Sequence, residues 1–292
     1  MSTTTVTEAR PRPARRRADD RRGRWVRWSL RAGLAAGAVF MLTPFLLMAL
    51  AAITPNRRLK PGSVSLSGFT LANFRQAWHD VDWPGLYLHT VVVVAVVFAA
   101  QVLTSLPAGY ALARLRFRNR KLSFWTVMLC LAIPPQVTGI PVFYALSKVN
   151  LLDSYTALVL PSVGSAFGIF LFRQFVLSLP QSVFDAARLD RVGPVAMVWR
   201  IVLPNVRPAL AAFAVFTVVG HWNDLYWPSM LLRSDQVATV PYGIARYAAP
   251  DSLSTYGTQM AAATLATMPL LLFFLLVQRQ LVRGIALTNG GE

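Results

Sequence analysis

Residues 182–208 read SVFDAARLDRVGPVAMVWRIVLPNVRP. They hold Asp185, Arg188, Asp190, Arg191, Arg200 and Arg207, in a chain whose other long stretches are apolar enough for lipid. The apolar residues here still recur at helical spacing, which predicts two short helices rather than coil. Ser182 followed three residues later by Asp185 is a capping-box-like start, with Pro180 just outside it. Asp185 in the first turn also faces the positive end of the helix dipole. Val183, Phe184, Ala187 and Val192 fall near one face. Gly193-Pro194 breaks the run, because the residue before proline avoids the helical region. Pro194 opens the second helix. Val195, Val198, Ile201 and Val202 form its apolar stripe, and Leu203-Pro204 ends it. The expectation is an elbow in the cytoplasm, between two membrane spans, that docks on another protein through a short apolar helix face.

Composition sets the frame for that elbow. The chain has 292 residues, 55% hydrophobic and 14% charged, against roughly 25% charged in soluble domains. The deficit points to a membrane protein. The net charge of +17 raises nucleic acid as an alternative, which the distribution of the charge opposes. The single Cys130 excludes an internal disulfide or a cysteine-rich metal site and is read as a packed thiol. Residues 1–28 are arginine-rich and contain proline, so disorder is expected up to about Trp25, in a basic tail held at an anionic membrane surface. The apolar run that follows is long enough to span and argues against a cleaved signal peptide.

Charge-free gaps locate the spans. They cover residues 32–56, 83–113, 122–147, 154–172 and 252–278, each near or above the roughly 20 apolar residues that a spanning helix needs. A sixth span starts in the 16 uncharged residues 208–223 and continues through Trp222, Tyr226 and Trp227, which suit an interfacial belt. Asp224 then lies near the outer boundary. The fold expected is all-α and polytopic, with six transmembrane helices and the elbow between spans four and five. In domain terms it has a basic tail 1–28, a membrane domain 29–285 with a loop 179–208, and a short tail 286–292. Orientation follows from basic residues. Of the 29 Lys and Arg, 22 lie on the side of the termini, the 113–121 loop and the elbow, and 7 on the other side. The positive-inside rule therefore places both termini and the elbow in the cytoplasm. The outer segments are 54–85, a turn near 148–154 and about 231–256, with short interfacial helices expected around Leu71–Trp78.

The elbow resembles the EAA loop of binding-protein-dependent ABC importer permeases. That pattern is Glu-Ala-Ala, three residues, Gly, nine residues, Ile-x-Leu-Pro. Asp185-Ala186-Ala187 and Ile201-Val202-Leu203-Pro204 stand at the matching distance, and Asp190 fits the common form. Asp185 replaces the glutamate. Arg191 stands at the glycine position, and Gly193-Pro194 supplies an equivalent bend two places later. Pro107–Arg114, Ile133-Pro134-Pro135, Leu151-Leu152-Asp153-Ser154, Trp222-Asn223-Asp224 and Thr239-Val240-Pro241 are similar to stretches of the carbohydrate branch, in particular its maltose-type second subunit. The similarity covers about residues 30–285. It implies a permease of the bacterial inner membrane, with a second permease subunit, ATP-binding subunits that hold ATP and Mg, an extracytoplasmic solute-binding protein and membrane lipid as partners. No cofactor is implied in this chain. The resemblance puts ATPase docking on Asp185, Ala186, Ala187, Arg188, Asp190, Gly193, Ile201, Leu203 and Pro204. Asp185 serves either partner contact or helix capping.

The remaining candidates concern a solute pathway. His221, Asn223 and Asp224 are polar residues near a membrane boundary, and such residues default to pathway roles. Pro134-Pro135 is the one proline site read as a functional break; elsewhere prolines are tolerated in membrane helices. The three histidines lie far apart, and neither a P-loop nor a Gly-x-Ser-x-Gly is present, so no catalytic or metal residue is assigned. The Arg-rich loop 113–121 reads as a topology signal first and a partner surface second. Three rival functions remain: a secondary transporter driven by an ion gradient, a membrane-embedded enzyme and a basic nucleic-acid binder. The absence of ionisable residues in mid-span, other than histidine and peripheral sites, opposes the first, missing motifs the second and one-sided charge the third.

Overall fold

Prolines and charge-free runs decide where the helices begin and end. The computed structural model describes residues 14–55, 68–249 and 254–288. The parts of the expected tails and outer segments at 1–13, 56–67, 250–253 and 289–292 lie outside the described residues. Helix α1 (Ala14–Ala52) begins within the stretch expected to be disordered; alanine and arginine are strong helix formers. The interfacial helix expected around Leu71–Trp78 is α2 (Ala72–Asp80). Asn73 anchors it by donating to the carbonyls of Ala52 and Thr54, at 2.9 and 2.8 Å, where α1 ends. Helix α3 (Trp83–Arg114) follows. Asp82 caps it through the Gly85 amide at 3.2 Å, and Pro84 occupies the first turn, where no amide is needed.

The next spans are not straight. Helices α4 (Arg120–Ala132) and α5 (Pro135–Lys148) meet at 94° across Ile133-Pro134. Helix α6 (Tyr155–Val159), its 3₁₀ extension Leu160–Ser162 and α7 (Ala166–Ser178) meet at 46°. After α8 (Gln181–Leu189) comes α9 (Pro194–Asn205), which turns by 84° into α10 (Arg207–Trp222). Two short helices, α11 (Tyr226–Leu231) and α12 (Val240–Tyr247), precede α13 (Tyr256–Thr288). Three helices alone are long and apolar enough to cross a membrane, and up to six crossings result if each bent pair is one span. Among the described residues there is no strand.

Core packing divides along α3. At its start, Trp83 and Leu86 pack in clusters with Ala77, Trp222, Val240, Ala261 and Ala262. At its end, Leu106, Tyr110 and Ala113 join Phe172 and Val176 of α7 with Phe184, Ala187, Met197, Val198 and Val202 of the elbow. A 32-residue helix is about 48 Å long, so the elbow and the α2–α12 end lie at opposite ends of the bundle. Much of α1, α4, α5 and the apolar part of α13 exposes large side chains such as Phe40, Trp125, Ile140 and Leu276. That is the expected surface of helices facing lipid or a second subunit. The turn near 148–154 is tied down by Asp153, whose carboxylate accepts the amides of Arg233 and Ser234 at 3.1 and 3.2 Å. Hydrogen bonding from Ser234, ahead of Arg233, holds that carboxyl below its usual range. The contribution of this tie is therefore present above the ordinary aspartate value and lost as pH falls through the lower folded value.

Two expectations about side chains are corrected. Cys130 is not packed; it is exposed, because α4 has no buried residue. Trp222 and Trp227 do not form an interfacial belt. Both are 7% exposed, the Trp222 indole donates to the Ala266 carbonyl, and the helix ends at Trp222 before a new one starts at Tyr226.

Candidate functional site

The elbow is built from its turn outward. Helix α8 starts at Gln181 with Pro180 as its cap residue and no side-chain cap. Ser182 is therefore inside the helix, and the expected capping box is not formed, since proline fixes the entry two residues earlier. Asp185 instead accepts from Gln181 Nε2 at 2.9 Å and pairs with Arg188 at 3.5 Å, all on the exposed face. Such an exposed pair contributes at most about 1 kcal/mol.

The end of α8 is a Schellman turn. The Arg191 amide donates to the Arg188 carbonyl at 3.0 Å and the Val192 amide to the Ala187 carbonyl at 3.0 Å. This pattern needs its central residue in the left-handed region, where glycine is favoured. Arg191 takes that place with φ 54°. Gly193 is extended, with φ −68°, and opens α9. The bend expected at Gly193-Pro194 is thus made at Arg191, the glycine position of the pattern. A left-handed side-chain-bearing residue costs about 1–2 kcal/mol. Arg191→Gly is expected to raise stability by about 1 kcal/mol, seen as slower amide exchange at Arg191 and Val192 and a higher melting midpoint. A lower midpoint would refute this.

In α9, Pro194 takes the first turn as expected, and the chain then widens into a π turn over Met197–Val202. The Leu203 amide reaches back five residues to Val198. Pro204, which has no amide and would crowd the carbonyl four residues back, follows directly. The wide turn changes the stripe. Met197, Val198 and Val202 are buried, Ile201 and Leu203 are half-buried against the core, and Val195 is 72% exposed. Among the nominated docking residues, Asp185, Ala186, Arg188, Asp190, Gly193 and Pro204 are exposed. Ala187 is 3% exposed and packs inward, so its small size serves the core rather than an approaching partner. Of the two apolar side chains that flank the turn, sequence reasoning placed Val195 in the apolar stripe of the second helix but did not single out Leu189, which is 85% exposed. Leu189 was legible as an apolar residue off the Phe184–Ala187 face.

A second site lies along the bundle. A cavity of about 760 Å³ is lined by parts of α3, α4, α5, α7, α10 and α11. The Pro134-Pro135 break opens onto it: Ile133, Pro135 and Gln136 line it, whereas Pro134 does not. His221 and Asp224 also line it. Asp224 additionally accepts the Trp227 amide at 3.3 Å. Asn223 turns away, is exposed and donates to the Val219 carbonyl of its own helix. Sequence reasoning missed Gln101, 6% exposed at the middle of α3. Its Nε2 donates to the Ser162 carbonyl at 2.9 Å and lies 3.3 Å from His221 Nε2, and its Oε1 accepts from Thr217 at 3.2 Å. Both ends of a buried amide are thereby satisfied. The available signals were an amide alone within the gap 83–113 and the Thr217/His221 pair at helical spacing. The lining contains Phe167, Phe213, Phe216, Tyr226 and Trp227, one aspartate, and no lysine or arginine.

A family profile described as "Binding-protein-dependent transport system inner membrane component" matches residues 105–287. The arabinooligosaccharides transport system permease protein AraQ of Halalkalibacterium halodurans is 32% identical over 90% of this chain and 95% of its own length. The sn-glycerol-3-phosphate transport system permease protein UgpE of Pectobacterium atrosepticum is 31% identical over 86% and 93%. The lactose transport system permease protein LacG of Rhizobium radiobacter is 30% identical over 86% and 92%. Among solved structures, a chain of a bacterial ABC transporter involved in the import of the acidic polysaccharide alginate superposes with a TM-score of 0.76. That match has 20% identity and covers 94% of this chain and 99% of the other, which is a likeness of fold.

Proposed function

We infer the role of this chain from one premise: it belongs to the family of binding-protein-dependent transport system inner membrane components. It is a multi-pass membrane permease subunit of an ABC importer, and the reading as an ion-gradient-driven transporter gives way. We propose that a second permease completes the pathway, that ATP-binding subunits holding ATP and Mg do the hydrolysis, and that an extracytoplasmic protein delivers the solute. The excess of basic residues around the elbow and both termini supports a cytoplasmic position for them. The opposite placement of the α2–α12 end supports an outer position for that end. The elbow docks the ATP-binding subunit through Leu189 and Val195, with Asp185, Ala186, Arg188 and Asp190 around them. Closure of the ATP-binding pair then displaces the elbow and switches access to the pathway.

The solute is an uncharged sugar. The relatives differ here, since arabinooligosaccharides and lactose carry no charge and glycerol phosphate is an anion. The observation that carries the reading is the cavity lining, with aromatic faces, hydroxyls, amides and one imidazole but no lysine or arginine. An anion in such a site would be unpaired and strongly disfavoured. The test is uptake by the assembled importer in vesicles with ATP inside. Arabinose oligomers or lactose are expected to be taken up, and glycerol phosphate is not. Gln101→Leu is expected to lower uptake about tenfold by leaving buried partners unsatisfied, while the ATP-binding subunits still co-purify. Uptake of the phosphate ester alone overturns the solute reading. Gradient-driven uptake by this chain alone overturns the importer.

A further inference from the structure

Arg114 is the last residue of α3, in the basic loop that sequence assigns to topology. Both terminal nitrogens of its guanidinium are engaged elsewhere, while Nε is buried without a hydrogen-bond partner. Nη1 donates to Gln181 Oε1 at 2.8 Å, and Nη2 donates to the carbonyls of Val176 and Leu179 at 3.0 and 2.6 Å. Its Cζ lies 4.3 Å from the ring centroid of Phe184. That ring is 1% exposed and also stacks with Tyr110, one turn back on α3. One planar cation therefore joins the foot of α3, the end of α7 and the first turns of α8. Gln181 carries the connection on to Asp185 at 2.9 Å.

The chemistry is specific to arginine. The last carbonyls of a helix lack amide partners and lie at the negative end of its dipole. A rigid fork serves three acceptors and a ring at once, and a lysine ammonium does not. The joint between α7 and α8 is only Leu179-Pro180, both in extended backbone. Such a joint bends readily unless something bridges it.

We propose that Arg114 is a positioning residue for coupling, locking α8 to α3 and α7 so that displacement of the elbow reaches the bundle. Without it, motion is absorbed at Leu179-Pro180. This rests on the docking reading of the elbow. The test uses the complete importer with its ATP-binding subunits, reconstituted with its binding protein, and reads solute delivered per ATP hydrolysed. Arg114→Lys keeps the charge that a topology signal needs, yet is expected to lower that ratio about five- to tenfold. Arg114→Gln is expected to do no better. Gln181→Ala and Phe184→Leu each remove one partner and are expected to lower the ratio less, in the same direction. They decide the matter if the Arg114 variants fail to assemble. An unchanged ratio in Arg114→Lys, or in both partner variants, overturns the proposal. Failure of the docking reading would look different: Leu189→Asp, at an exposed position, would leave the ATP-binding subunits fully retained.

Discussion

Leu189→Asp is expected to strip the ATP-binding subunits from the purified importer and to abolish transport while leaving the permease folded. Leu189 sits at the end of α8 with 85% of its surface open, and no core contact depends on it. Buried in a partner's groove, a leucine contributes about 1.5–3 kcal/mol. An aspartate there adds the cost of an unpaired charge. Each 1.4 kcal/mol is about tenfold in affinity, so the complex should weaken by about 100-fold or more. Leu189→Ala should fall between. Co-purification and ATP-driven uptake give the measurement, with the melting midpoint as control. Full retention of the ATP-binding subunits by Leu189→Asp would remove the docking assignment.

Gly109→Leu is expected to have the largest effect on the bundle itself. A Cβ at Gly109 would stand 2.9 Å from Phe172 Cβ, 3.0 Å from the Arg173 amide nitrogen and 3.1 Å from the Ile169 carbonyl oxygen. None of these is the far end of a flexible side chain, so α3 and α7 would have to move apart. Small residues are what let membrane helices come this close. Overpacking costs about 1–3 kcal/mol and more where backbone must shift; here the upper end is expected. The same interface holds Leu106, Tyr110 and Phe172, and through them the elbow. The variant should assemble poorly and melt early. Gly37→Ala on α1, where a Cβ meets nothing within 4 Å of this chain, is the contrast. Equal melting of the two would refute the account.

Spans, elbow and punctuation were legible because they depend on charge and on proline. The 32-residue α3 and the starts at Pro84, Pro135 and Pro194 follow from the sequence directly. The face shared by Phe184 and Ala187 was legible too, but its direction was not. Only packing against α3 and α7 shows that Ala187 points inward. The left-handed turn was hidden because the residue that adopts it is an arginine, and the nearest glycine drew the expectation two places along. The Gln101 site needed two distant helices to be brought together, which periodicity does not reveal.

One further consequence comes from the reach of α3. Thr90 near its start accepts the Val240 amide at 2.8 Å, Gln101 halfway along holds the Ser162 carbonyl, and Arg114 at its foot holds α7. A stiff rod pinned at three heights cannot be tilted at one without straining the others. On the proposed docking of the elbow, a push at the foot of this helix would therefore reach the cavity and the α2–α12 end in the same stroke, with no separate messenger needed between them.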